Sequence, residues 1–196
     1  MFSQRAIRRL RPDPIPDADI HLIIEAAQKA PNGGNQQPGR FVILKDRERI
    51  QQFGALYREA WWAKRHDAGI MGPEDISQEN RTMQSAMRLA DEIKDAPLII
   101  LACSMAPNTA NSVFPPVQNL LLAARALGIG GTLTTLHPSV EGRVRELTGI
   151  PEDVEIHCCL PMGYPRGNFG PTKRKPANEI AYLERWGEAP GWGSID

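Results

Sequence analysis

Residues 115–130 read Pro115-Pro116-Val117-Gln118-Asn119-Leu120-Leu121-Leu122-Ala123-Ala124-Arg125-Ala126-Leu127-Gly128-Ile129-Gly130. The spacing predicts a helix from Val117 to Leu127, apolar nearly all round. Pro115 and Pro116 sit where the first turn would begin, and a missing N–H costs little there. Gly128 ends it. A helix without a polar face must be covered on more than one side, so it belongs in a core or a subunit interface. Downstream, Thr132-Leu133-Thr134-Thr135 reads as a strand, Ser139 to Thr148 as a helix, and Val154 to Met162 as a strand.

Upstream, Asp17 is placed to cap a helix running to about Lys29, with Ile20, Ile23, Ile24 and Ala27 at helical period. Pro31 ends it, and Asn32 to Pro38 form a loop. Phe41 to Leu44 is a short apolar strand. Asp46 to Lys64 carries the stripe Ile50, Phe53, Leu56, Tyr57. A break over 67–75 precedes a helix from about Ser77 to Ile93 containing Met83, Met87 and Leu89. Pro97 leads into a strand from Leu98 to Cys103, and residues 106–113 read as loop. The tail from Lys175 to Trp186 is a short helix or an extended arm, and Gly187 to Asp196 is irregular. Helices separate most strands, which by itself suggests an α/β sheet with crossovers.

A chain of 196 residues suits one domain, residues 1–196. Lys plus Arg and Asp plus Glu each number 23, and this balance argues against a nucleic-acid surface as the main business. No apolar run approaches the roughly 20 residues of a membrane span. The early arginines are not followed by the apolar stretch of a secretory signal. Cys103, Cys158 and Cys159 form no C-x-x-C pair, and an odd count makes a poor disulfide framework, so they read as small buried residues. Cys158 and Cys159 would point to opposite faces of a strand. The expected location is the reducing cytoplasm.

Several chemistries lack their motif. There is no G-x-G-x-x-G after a first strand, no P-loop, no H-E-x-x-H and no G-x-S-x-G. His21, His66, His137 and His157 are scattered, so no metal site is expected. Three clusters suit a phosphorylated aromatic cofactor. Arg5 and Arg8 could converge on one phosphate, since a guanidinium fork matches phosphate oxygens; a solvated basic N-terminus would read the same way. In Pro31-Asn32-Gly33-Gly34-Asn35-Gln36-Gln37-Pro38 the glycines allow close backbone approach and the amides both donate and accept; an ordinary polar turn has the same composition. Lys173-Arg174-Lys175 adds cations, or is a wet surface loop.

In this order the clusters resemble the nitroreductase family of flavoproteins. Arg5-Ala6-Ile7-Arg8-Arg9-Leu10 is similar to its opening R-S-x-R-x-F element. Glu25-Ala26-Ala27 through Pro38 is similar to E-A-A-x-x-A-P-S-x-x-N-x-Q-P. Residues 118–130 are similar to the Q-N-L-L-L-A-A-x-x-L-G-L-G helix, and Gly163-Tyr164-Pro165 followed by Arg174-Lys175-Pro176 to the closing G-Y-P…R-x-P. The chain departs from these patterns at Ala6 and Asn32, where the family has serine, and at Gly39, where it has tryptophan.

The resemblance implies an α+β fold, with a central, mostly antiparallel sheet flanked by helices, in place of the crossovers. It implies an intertwined homodimer with FMN at the interface. Phosphate contacts fall to Arg5, Arg8 and Arg174, with Ala6 beside them. Ring or ribityl contacts fall to Pro31, Asn32, Asn35 and Gln37, reaching over from the other subunit. Leu133, Thr134 and Thr135 would line the flavin edge. Thr134-Thr135 also resembles the iodotyrosine deiodinase branch, which places a threonine hydroxyl, here Thr135, at flavin N5 and favours one-electron steps. No side chain need act as nucleophile or base. Electrons would pass from NAD(P)H through FMN to an electron-poor small molecule, a nitroaromatic, quinone, enone or halogenated aromatic, in a ping-pong cycle. A variable region, about 54–95, would shape the pocket mouth, with Tyr57, Trp61, Trp62, Met71 and Met83 against an aromatic acceptor or in packing. Adjacent Trp61 and Trp62 cannot share one helix face. A flavin-binding or flavin-storage protein without turnover is the alternative.

Overall fold

Pro16 opens the first helix, α1 (Asp17–Gln28), with φ −58°. Asp17 is therefore the first helical residue and not the cap, contrary to the sequence reading. The fixed proline backbone sets the entry, and Asp17 and Asp19 face the positive end of the helix. A computed structural model of the chain describes residues 1–192, so part of the tail read as irregular, residues 193–196, lies outside the described residues. After α1 follow β1 (Gly39–Leu44), α2 (Arg47–His66), α3 (Arg81–Glu92), β2 (Leu98–Ser104), α4 (Ala110–Ala126), β3 (Gly130–Gly131), α5 (Pro138–Thr148) and β4 (Glu155–Gly163). Asp46 caps α2 by accepting from Arg49 N at 2.9 Å, and Asn80 caps α3 by accepting from Met83 N at 3.0 Å. The tail holds one short 3-10 turn, Ala177–Glu179.

The four strands form one sheet in the order β1-β2-β4-β3, and each pairing is antiparallel. Leu101 stands opposite Val42 on one side and Cys159 on the other. β2 is buried along its whole length and divides its side chains by parity. Leu98, Ile100 and Ala102 meet α1 and α4, together with Cys158, Leu160 and Met162 of β4. Ile99, Leu101 and Cys103 meet α2, α3 and α5, with Cys159. Adjacent Cys158 and Cys159 thus belong to opposite cores, and all three thiols are buried and free.

Two elements differ from the sequence reading. α4 begins at Ala110, so Pro115 and Pro116 lie inside it and residues 110–113 are helical. Two helical hydrogen bonds are lost, and burial of Val113, Pro116, Val117 and Leu120 offsets them. The strand expected at 132–135 is instead β3, two residues earlier; Thr134 makes only an isolated bridge with Cys159. The glycines explain the shift, since a Cβ at Gly131 would lie 3.0 Å from Pro161 O and one at Gly130 2.8 Å from Ile7 Cβ. Only backbone fits between the N-terminal segment and β4.

Candidate active site

The N-terminal segment is clamped along the β3 edge. Ile7 N donates to Gly131 O at 2.9 Å, Arg11 N to Tyr164 O at 2.7 Å, and Arg166 N to Arg9 O at 3.0 Å. Ile7 packs inward against the core beneath α2. Its neighbours Ala6 and Arg8 then border a groove of about 310 Å3, lined also by Arg5, Arg9, Ser85 and Arg166. Among the described residues, four arginines and no carboxylate line this groove. Arg8 also lines a second cleft of about 220 Å3, so the two cavities share a wall.

The second cleft is walled by Tyr57, Trp61, Lys64 and Arg65 of α2, Ala86 and Leu89 of α3, and residues 132–135. Positions 57, 61, 64 and 65 fall on one helix face. The Tyr57 hydroxyl and Thr134 Oγ1 are 2.9 Å apart. Lys64 Nζ donates to both Thr135 O and Thr135 Oγ1 at 2.7 Å. Arg65 lies over the Trp61 ring at 4.9 Å. Leu133 and Thr135 are exposed toward the opening.

Burial pushes the Tyr57 hydroxyl up to about 12, against the hydrogen bond it shares with Thr134 and the nearby Arg8 and Arg65 charges. Tyr57 is thus a neutral phenol through the neutral range. Because the folded value lies above that of the free phenol, about 10, the associated stability is fully present below pH 10 and is lost as pH rises toward 12. Two pH units correspond to about 3 kcal/mol. Burial likewise pushes Cys103 up to about 11 and Cys158 up to about 12, which adds loss of the same sign. Urea denaturation at stepped alkaline pH should show this fall, and Tyr57→Phe should make it shallower; an identical slope would contradict the assignment. Burial also raises the Cys159 thiol behind the cleft. Desolvation lowers Lys64.

The loop 31–38 lies elsewhere in the chain. It borders a cavity of about 390 Å3 through Asn32, Gln37 and Pro38, with Ile24, Phe41, Ser112 and Pro116, and among the described residues shares no lining residue with the two clefts. Asn32 Oδ1 accepts from Gln37 N at 2.8 Å, and Gly33 N donates to Ser112 Oγ at 3.1 Å. Gly34, Asn35 and Gln37 all have positive φ, near 50°. Such a conformation costs of order 1 kcal/mol or more for a residue with a Cβ. Pro31 and Asn35 are exposed.

Of the other residues singled out from the sequence, Arg174 is exposed and Nη1 donates to Lys173 O. It stands two residues from Thr172, whose N donates to Phe2 O. Trp62 faces away from the cleft into a groove with Arg58, Glu59 and His66. Met71 is 67% exposed and lines none of these cavities. Met83 is not part of the cleft lining but touches its wall as acceptor from Arg65 Nη1. Lys64, Arg65 and Arg166 were not anticipated. The helical stripe through Tyr57 and Trp61, continued one turn, would have found the first two; Arg166 directly follows the Gly163-Tyr164-Pro165 element.

The nitroreductase family model matches residues 2–164, which include both clefts' sequence elements as far as Tyr164. An Archaeoglobus fulgidus protein provisionally named NADH dehydrogenase/NAD(P)H nitroreductase is 30% identical over 85% of this chain and 83% of its own. The iodotyrosine deiodinase of Thermotoga neapolitana is 28% identical over 91% of each chain. A crystal structure of oxidized iodotyrosine deiodinase bound to FMN and 3-iodo-L-tyrosine superposes with a TM-score of 0.71 at 26% identity, covering 93% of this chain and 95% of that one. By sequence model, relatives and fold, this chain belongs to the nitroreductase family.

Proposed function

We propose that the chain is an FMN-dependent oxidoreductase that passes electrons from NAD(P)H to an electron-poor small molecule. The observation that carries this is the arginine groove joined through Arg8 to an aromatic-walled cleft. A groove of uncompensated guanidinium groups suits a phosphate, and the adjoining cleft suits the ring system on the same molecule. Arg5, Arg8 and Arg174 would hold the phosphate beside Ala6, helped by Arg166, and Leu133, Thr134 and Thr135 would border the ring. When bound, FMN would supply the redox chemistry that links NAD(P)H to the acceptor, in the ping-pong order proposed.

The protein's part is placement and electrostatics. Arg8 presents positive charge at the junction of the two cavities, where developing negative charge would be stabilised. Thr135 Oγ1 already accepts from Lys64, so its own hydrogen would be free to donate to a bound flavin, as proposed for N5. Thr135→Val should therefore shift the one-electron potentials of the bound flavin; unchanged potentials would remove Thr135 from this role.

We further propose that the working unit is a homodimer in which Pro31, Asn32, Asn35 and Gln37 reach the partner's flavin. Two features support it: the loop and the arginine groove do not meet within one chain, and the chain leaves large apolar side chains in water. Trp186 is 89% exposed, with Ile180, Leu183, Leu133 and Phe114 also open. Residues 1–196 would act as one domain, with 54–95 shaping the pocket mouth. The test is steady-state oxidation of NADH and NADPH by FMN-loaded protein with menadione or a nitroaromatic as acceptor. Turnover with a parallel-line pattern supports the reading, while flavin binding without NAD(P)H oxidation would leave only a storage role.

A further inference from the structure

We infer that Lys64 is a positioning residue, which orients the Thr135 hydroxyl so that its proton points at the bound flavin; this rests on the flavoenzyme reading above and on Thr135 as its N5 contact. Lys64 Nζ donates to Thr135 O and to Thr135 Oγ1, each at 2.7 Å. One ammonium therefore grips the backbone and the side chain of the same residue. The carbonyl and the hydroxyl must both face it, which leaves the threonine side chain one orientation of its staggered set. An ammonium has donors and no lone pair to offer. The hydroxyl cannot donate back to Lys64, so its proton turns away from α2.

Thr135 depends on such a grip. It lies between β3 and α5, outside both, and is exposed. Its neighbour is held from two sides. Thr134 N donates to Cys159 O at 3.0 Å, Thr134 O accepts from Cys159 N at 2.8 Å, and Thr134 Oγ1 shares a hydrogen bond of 2.9 Å with Tyr57. Thr135 has no strand partner among the described residues, and its side chain bonds there to Lys64 alone. Tyr57 and Lys64 stand two turns apart on one face of α2, so one helix fixes both threonines. Lys64 pairs with no Asp or Glu among the described residues. Its charge is thus not spent on an internal ion pair, and desolvation presses it toward the neutral form. A solvated surface lysine bears neither constraint.

The test compares the parent, Lys64→Met, Thr135→Val and the double variant, each loaded with isotopically labelled FMN. FMN uptake by the parent is measured first; no uptake defeats the flavoenzyme reading itself, before any variant is compared. The readouts are the N5 nitrogen resonance and the one-electron midpoint potentials, and urea denaturation checks that each variant is folded. Lys64→Met should move the N5 resonance in the same direction as Thr135→Val. It should also change the one-electron equilibrium constant roughly tenfold, about 59 mV. In the Thr135→Val background the same substitution should add little, because the hydroxyl it orients is gone. Equal shifts in both backgrounds would show the Lys64 charge acting directly on the flavin and would overturn the inference. A resonance and potentials untouched by Lys64→Met would overturn it too. Loss of FMN binding in Lys64→Met would assign the lysine to holding the cofactor, against the inference. An unmoved N5 resonance in Thr135→Val would remove the contact that Lys64 serves, with the same result.

Discussion

Arg8→Met should weaken FMN binding roughly 100-fold while leaving the fold in place. Among the described residues Arg8 alone lines both cavities of the proposed site, and its backbone neighbour is anchored by the Ile7 N–Gly131 O bond. Removing one charged partner from a partly desolvated pair costs about 2–5 kcal/mol, and roughly 100-fold lies at the lower part of that range. No internal salt bridge is lost, since Arg8 has none among the described residues. The unfolding free energy should therefore change by about 0.5 kcal/mol or less. Arg8→Lys keeps the charge without the fork and should fall between the two. Fluorescence titration of FMN into apoprotein measures the affinity, and urea denaturation checks the fold. An Arg8→Met protein that binds FMN as tightly as the parent would remove the junction of the two cavities from the cofactor site.

Gly54→Val should abolish stable folding. Gly54 lies in α2 where that helix crosses the short turn before β2, and a Cβ there would stand 2.6 Å from Lys94 Cβ and 2.7 Å from Lys94 Cα. One of these atoms is backbone, and the turn Ile93–Asp95 is held between buried Ile93 and the β2 strand that starts at Leu98. Even Gly54→Ala sets two effects against each other. Alanine gains about 1 kcal/mol of helix propensity over glycine, but overpacking costs about 1–3 kcal/mol and more against backbone. The overlap is severe enough for the second to win, so alanine should destabilise and valine, larger and β-branched, should do so far more. Gly142 of α5 provides the contrast. Among the described residues nothing lies within 4 Å of a Cβ there, so Gly142→Ala should stabilise by about 1 kcal/mol. Chemical denaturation of the three variants reads this directly. A Gly54→Ala protein as stable as Gly142→Ala would show that α2 does not press on the turn.

Helical period made the buried stripes of α1 and α2 legible through their i, i+3, i+4 spacing. The adjacency of Cys158 and Cys159 put them on opposite faces of a strand. The all-apolar run Leu98 to Cys103 showed a strand without showing its two faces. The start of α4 was hidden because paired prolines usually mark a boundary, and only tertiary burial keeps them inside a helix. β3 was hidden because two glycines carry no strand pattern, although close backbone packing is what requires them. In the site, Tyr57 and Trp61 were visible as apolar residues one turn apart. Lys64 and Arg65 on the same face were not, because cations on a helix ordinarily point into solvent. The spiral of the 31–38 loop was equally silent, since neither Asn35 nor Gln37 is a glycine, yet both take positive φ.

These residues together describe one chemical idea, a phosphate groove and a ring cleft joined at Arg8. The visible absorption spectrum of the purified protein tests it most directly, followed by titration of the apoprotein with FMN. The expected result is a yellow protein whose released chromophore is FMN, or a colourless apoprotein that takes up FMN with a shifted flavin spectrum. A colourless protein that leaves the spectrum of added FMN unchanged would contradict it.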